Sequence, residues 1–346
     1  MAAKKEAVDY GALRRALQAE GPKRVYLLYG AEDYLQNQFA ADIRAACLSG
    51  GGEDWNYHRL DGPNVDLGAL EEAVSAVPFF GARTLAELWG FDLNACKAAD
   101  AERLRAVIED IPDYCTLLIT LPAGYEPDGR LAVFKAIKKA GGALEFTAQG
   151  QNQLMTWIAR RFAALHKSVS RAACEQLIFM TGGLMGRILP EIEKLAAYVK
   201  SEEVSLEDVK AVAIKFPEAN VFEMGELIAG KDYAKAAAVL QELLDMRTEP
   251  IMILAMLGRS MRQLYTARLL LDRGQGIQEL MAELDIRFEF IARRLLSGAR
   301  GFDAETLRAA LRRMAEADLE MKSGRSAEGA ALLTELLLSF AVEHVR

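Results

Sequence analysis

Histidine is nearly missing from this chain. Three occur in 346 residues, His58, His166 and His344. None stands in an HExxH or other ligand spacing, so no metal site is expected. Cysteine is almost as scarce. Cys47, Cys96, Cys115 and Cys174 are widely spaced, with no CxxC pair. They read as reduced, mostly buried thiols of a cytoplasmic protein. No Ser/His/Asp or Cys/His order marks a nucleophile, and no two carboxylates stand out as an acid/base pair. No apolar stretch of about 18 residues is free of charge, so no transmembrane helix is expected. No basic N-terminal region leads into an apolar run, so no secretory signal is expected either. A basic surplus is lacking too. The net charge of −7 argues against strong, autonomous, non-specific DNA binding, which needs a basic footprint. It leaves room for DNA contact inside a larger assembly.

What is present is apolar and helix-forming. Hydrophobic residues make up 51% of the chain, enough for substantial cores in two or three domains. The first ~145 residues alternate short apolar runs with amphipathic segments, which predicts a parallel sheet with covering helices. Strands are expected at Val25–Tyr29, Asn56–Leu60, Thr84–Trp89, Tyr114–Leu121 and Ala143–Phe146. Helices are expected at Glu32–Leu48, Val65–Val77, Ala98–Asp110 and Leu131–Lys139. The run Ser49-Gly50-Gly51-Gly52 closes the first of these, and Gly141-Gly142 closes the last. From Gln149 onward strands become scarce. Gln153–Ala164, Ser170–Thr181, Pro190–Val199 and Ser205–Val212 each suit a short helix. Ser205 with Asp208 resembles a capping box. Lys215-Phe216-Pro217-Glu218 reads as a hinge into a last helical region. There, Asp232–Met246 is one helix and Pro250 opens another that stops at Gly274. Asp303 caps Ala304–Met321, and Ala331–His344 closes the chain.

Val25–Gly30 followed by a helical pattern is the junction at which a P-loop nucleotide site sits. A Walker A loop beginning at Gly30 needs Gly at position 35, Lys at 36 and Ser or Thr at 37. Leu35, Gln36 and Asn37 stand there instead. The close phosphate wrap, the cation and the Mg²⁺ ligand are all lost. The strand Cys115–Leu121 occupies the Walker B place, and no Asp-Glu pair follows it. ATP hydrolysis is therefore not expected, and no cofactor is. The alternative is that both segments are simply core strands.

Ser75-Ala76-Val77-Pro78-Phe79-Phe80-Gly81-Ala82-Arg83 ends an amphipathic helix whose face carries Leu67, Leu70, Val74 and Val77. Adjacent aromatics cannot both face one narrow helical stripe. Either the Pro and Gly present the rings at a tip, where they would anchor an interface, or one or both rings pack beneath the sheet. Arg293, Arg294, Arg300, Arg308, Arg312 and Arg313 cluster near the end of the chain. They read as a solvated face beside Asp303, Glu305 and Glu316, with contact to a sister protein or to nucleic acid as the alternative. Ala317–Gly324 closes a helix with charges and Gly.

Taken in order, these pieces resemble the delta-subunit family of the bacterial DNA polymerase III clamp loader. The resemblance rests on Val25–Gly30 with Glu32 and Tyr34-Leu35, and on Val77–Gly81 with Arg83. It continues through Glu191–Leu195, Asn220-Val221-Phe222 and Glu249-Pro250 with Ile253-Leu254. It ends at Ala317-Asp318-Leu319 with Lys322-Ser323-Gly324.

The resemblance implies an α/β plus all-α chain with an AAA+-like fold. A RecA-like domain would span 1–147, a three-helix lid 148–214, and a helical collar 215–346, although four short helices are read in the lid segment. It implies a subunit of a DNA-directed DNA polymerase holoenzyme that does not itself hydrolyse ATP. Its partners would be the beta sliding clamp, the ATPase and delta-prime subunits through the collar, and primer–template DNA within the assembly. The clamp-binding residues would be Phe79 and Phe80 with Pro78, Leu70 and Val74. The family often has an aliphatic residue where Phe79 stands. Two rival readings are an active AAA+-type ATPase with an unorthodox loop, and a helical DNA-binding scaffold.

Overall fold

The computed structural model describes residues 9–63, 65–323 and 329–343. Gly324 and His344, both named in the sequence patterns, lie outside the described residues. The chain divides into two compact units. The first runs to Gln149 and takes in Leu184–Gly186, and the second holds Gly150–Gly183 and the chain from Arg187 onward.

In the first unit five apolar runs form strands β1 (Val25–Tyr29), β2 (Tyr57–Asp61), β3 (Thr84–Trp89), β4 (Cys115–Thr120) and β5 (Ala143–Glu145). They make one sheet in the order β2-β3-β4-β1-β5, with every neighbouring pair parallel. That is the parallel sheet with covering helices expected. β4 is buried throughout and β3 nearly so. Neither strand alternates in burial, as a sheet covered on both faces requires.

The covering helices are α1 (Tyr10–Glu20), α2 (Asp33–Leu48), α3 (Glu53–Asn56), α4 (Leu67–Ser75), α5 (Ala98–Glu109) and α6 (Ala132–Lys139). Val25 and Leu27 of β1 face a core shared with Leu70 and Val74 of α4, Leu104 of α5 and Ile137 of α6. The alternate β1 residue Tyr26 meets Phe39 of α2 edge-on at 6.0 Å, so α2 covers the opposite face.

Two boundaries differ from the sequence reading, and both bear on the site. Asn56 ends α3 instead of opening β2. α4 stops at Ser75, with Ala76 already extended. Val77 precedes Pro78, whose ring disfavours helical geometry in the residue before it. Val77 therefore leaves the apolar face it was assigned to and is 75% exposed.

Among the described residues, the second unit is helical apart from the two-residue strands β6 (Ser168–Val169) and β7 (Glu203–Val204). Its helices are α7 (Gln151–Ala164), α8 (Arg171–Thr181), α9 (Met185–Tyr198, whose first two residues belong to the first unit), α10 (Leu206–Val212), α11 (Pro217–Ala229), α12 (Tyr233–Asp245), α13 (Pro250–Asp272), α14 (Ile277–Glu283), α15 (Glu289–Ala299), α16 (Ala304–Lys322) and α17 (Gly329–Glu343).

The predicted caps are present. Ser205 and Asp208 form a reciprocal capping box, with Ser205 Oγ accepting from Asp208 N–H at 3.2 Å and Asp208 Oδ2 accepting from Ser205 N–H at 2.9 Å. Asp303 Oδ1 accepts from Thr306 N–H at 2.7 Å. Pro250 opens α13, and Gly274 follows its end with φ +71°. α9 begins at Met185, so Pro190 lies inside the helix and does not start it.

Candidate functional site

The loop between α4 and β3 turns outward. Phe79 is 53% and Phe80 80% exposed, and Trp55 of α3 beside them is 67% exposed. The rings touch in sequence. Phe79 and Phe80 lie 4.4 Å apart between centroids, edge to face, and Trp55 and Phe79 lie 5.9 Å apart. Leu70 and Val74, by contrast, are buried in the core. They anchor the helix that leads to the tip and are not part of its surface. The two structural alternatives for the phenylalanines are thus resolved, because both rings point into solvent instead of under the sheet.

A buried side chain holds this loop. Asn56 Oδ1 accepts from Phe79 N–H at 2.7 Å, and Asn56 Nδ2 donates to the Phe79 carbonyl at 2.8 Å. One carboxamide therefore satisfies both main-chain polar groups of Phe79, as a neighbouring strand would. Nδ2 also reaches the Gly51 carbonyl at 3.4 Å. The glycine run beneath is needed for this approach. Gly51 and Gly52 have φ +85° and +78°, and an added Cβ at Gly81 would lie 2.9 Å from Asn56 Nδ2. Phe80 itself sits at φ +58°, a left-handed conformation that disfavours a bulky non-glycine residue. Sequence reasoning misses Trp55 and Asn56. Their signal is the Gly50-Gly51-Gly52 run placed just before Trp-Asn, which by spacing alone reads only as a helix stop.

The second predicted feature is the loop at Gly30. Its groups are tied to one another. Gly30 carbonyl accepts from Gln36 Nε2 at 2.9 Å and from Gly124 N–H at 2.8 Å. Glu32 N–H donates to the Phe146 carbonyl at 3.0 Å. A Cβ on Gly30, at φ +119°, would lie 2.5 Å from that same Phe146 oxygen, so the glycine serves close packing against the chain after β5. Glu32 is completely buried. Its two carboxylate oxygens each lie 3.2 Å from Met185 N–H, at the first residue of α9. Leu35 and Gln36 are buried and Asn37 is exposed. A phosphate cradle requires inward-pointing N–H groups and a nearby cation. Here the loop carries a buried carboxylate, and its Gly30 carbonyl is engaged by a side-chain amide.

The C-terminal arginines are mostly engaged with acidic or aromatic neighbours. Arg293 pairs with Glu289 at 2.7 Å and Arg308 with Glu305 at 2.7 Å. Arg294 makes a two-pronged bond to Glu226 and lies over the rings of Phe179 and Phe222 at 3.9 and 5.2 Å. Arg300 and Arg312 are exposed. Arg293 and Arg300 line one cavity together with Glu279. Cys47, Cys115 and Cys174 are buried, and burial pushes the Cys174 thiol up to about 11.

Residues 26–147 match the family model described as DNA polymerase III, delta subunit, and residues 218–339 match the model for the C-terminal domain of the DNA polymerase III delta subunit. The chain is 26% identical over 325 residues to DNA polymerase III subunit delta of Bacillus subtilis (strain 168), covering 91% of each chain. It is 24% identical over 294 residues to a probable DNA polymerase III subunit delta of Aquifex aeolicus (strain VF5), covering 83% of this chain and 82% of that one. Among solved structures, the DNA clamp loader delta protein of Bacillus subtilis superposes with a TM-score of 0.55 at 24% identity, covering 96% of this chain and 99% of that chain.

Proposed function

This chain belongs to the DNA polymerase III delta-subunit family, and from that premise we propose that it opens the ring-shaped sliding clamp without hydrolysing ATP. The observation that carries the reading is the exposed Phe79–Phe80 pair on a buried, hydrogen-bonded support. Burying a Phe side chain in an apolar pocket is worth about 1.5–3 kcal/mol, so two exposed rings supply an interface hot spot. α4 has ended by Ser75, and Pro78 disfavours any return to helix before the rings. Leu70 and Val74 contribute through the core that fixes α4.

Opening follows from differential binding. A ligand shifts a two-state equilibrium only by its preference for one state. The tip would bind the clamp better where the interface between clamp protomers has parted, and so favour open rings. ATP-driven sister subunits, ATPase and delta-prime, would supply the energy and control access. The 215–346 segment would form the collar with them, the 148–214 segment the lid, and the 1–147 segment the RecA-like base. Primer–template DNA would meet the assembly as a whole. Two observations support a non-hydrolysing role, namely buried Glu32 and the engagement of the Gly30 carbonyl by Gln36.

The test is clamp binding by the wild type and by the double variant Phe79→Ala, Phe80→Ala. A loss of about 2 kcal/mol or more with an unchanged circular dichroism spectrum is expected. Undiminished binding by the double variant would move the site elsewhere. Measurable ATP turnover by the isolated chain would overturn the non-hydrolysing role.

A further inference from the structure

We propose that Trp55 is a third docking residue, so that the clamp-binding face is built from two separate chain segments joined by Asn56. The proposal rests on the reading of Phe79 and Phe80 as the clamp-docking tip.

Trp55 and Asn56 are consecutive residues of α3, and they point in opposite senses. Asn56 is buried and bonds Phe79 through both of its polar atoms, while Trp55 is 67% exposed. The short helix is itself fixed from below, since Trp55 N–H and Asn56 N–H both donate to the Gly52 carbonyl, at 3.0 and 2.8 Å. Fixing Phe79 to Asn56 therefore also fixes Phe79 relative to Trp55. The rings form a continuous row, Trp55 to Phe79 to Phe80, with centroid spacings of 5.9 and 4.4 Å.

A core-packing role does not account for the row. Both of its end rings are mostly in water, and Phe80 is held at φ +58° to keep it there. Strain retained around exposed apolar surface points to a binding function. The row is continuous with the proposed tip, so its occupant is the same apolar surface of the sliding clamp. Trp is one of the residue types enriched among interface hot spots. Its broad, rigid ring presents large area at little entropic expense.

The experiment places a photo-crosslinking p-benzoylphenylalanine at position 55, and separately at position 80, in the full chain mixed with the clamp. It also compares clamp affinity for wild type, Trp55→Ala and Trp55→Phe. Crosslinking from both positions is expected. Affinity should fall on the order of tenfold in Trp55→Ala and recover largely in Trp55→Phe. Crosslinking from position 80 but not 55, with Trp55→Ala binding like wild type, would overturn the proposal and leave the tip reading standing. No binding by the wild type would overturn both.

Discussion

Gly52 lies so close beneath Phe79 that a methyl group added to it would sit 2.5 Å from the Phe79 carbonyl oxygen. The same glycine adopts φ +78°, where an L side chain is strained. Gly52→Ala is therefore expected to push the tip loop off its support. Stability should fall by about 1–2 kcal/mol, and clamp affinity should fall although no docking residue has changed. Urea unfolding together with a clamp-binding titration checks both. An Ala variant with wild-type affinity would show that the loop conformation is immaterial to docking.

Asn56→Ala removes both bonds to Phe79 and leaves a main-chain N–H and carbonyl without their partner. A loss of about 2 kcal/mol is expected. Asn56→Asp keeps the acceptor for Phe79 N–H but sets carboxylate oxygen against the Phe79 carbonyl, so it should not rescue. Hydrogen exchange at the Phe79 amide is the direct readout. Protection should be present in the wild type, lost in Asn56→Ala, and only reduced in Asn56→Asp, whose remaining oxygen still accepts from that amide.

Glu87 on β3 is wholly buried and collects Arg44 Nε at 2.8 Å, Arg44 Nη2 at 3.0 Å and Tyr57 Oη at 2.5 Å. This network ties α2 to two neighbouring strands. Glu87→Ala leaves the guanidinium and the phenol without their acceptor. A cost of about 3 kcal/mol is expected, near the lower end for breaking a buried pair because Arg44 retains some solvent. Combining it with Arg44→Met should cost less than the sum of the single changes, as measured by chemical denaturation.

Tyr125 donates to Asp92 Oδ1 at 2.5 Å. Burial first, and then this bond, push the phenol from 10.0 up to about 12. The same bond, followed by the backbone N–H of Ala95, holds the Asp92 carboxyl below its usual range. The signs are opposite. The raised phenol contributes stability that is complete below pH 10 and lost as pH rises through about 12. The depressed carboxyl contributes stability present above the ordinary carboxylate range and lost as pH falls through its lowered value. Tyrosinate absorbance should show Tyr125 among the late-titrating phenols, and Asp92→Asn should bring it earlier. A Tyr125 titration unmoved by Asp92→Asn would mean that burial alone sets it.

Much of the fold is legible in the sequence because hydrophobic period and local punctuation agree along this chain. Val25–Tyr29 and Thr84–Trp89 are strands residue for residue, and the Ser205 and Asp303 caps form as their spacing predicts. Local pattern misleads where a distant partner decides. Asn56 adjoins a β-rich run and reads as strand, yet its side chain is committed to Phe79, 23 residues away. α9 starts ahead of Pro190, where Met185 N–H meets Glu32 across 153 residues of sequence. No window of neighbouring residues contains either relationship.

By itself, the sequence determined the five strands and four of the covering helices of the first ~145 residues, though not α1 or α3, as well as the absence of Lys and hydroxyl at the Walker positions and the unusual Pro-Phe-Phe-Gly run. These follow from residue identity and short-range spacing, which chain chemistry enforces locally. Only the tertiary structure decided that Phe79 and Phe80 face solvent, that Leu70 and Val74 do not, and that Trp55 completes their row. Exposure depends on which polar groups find partners across the fold. The Phe79 peptide finds its partner in Asn56, and that bond leaves the aromatic rings outside.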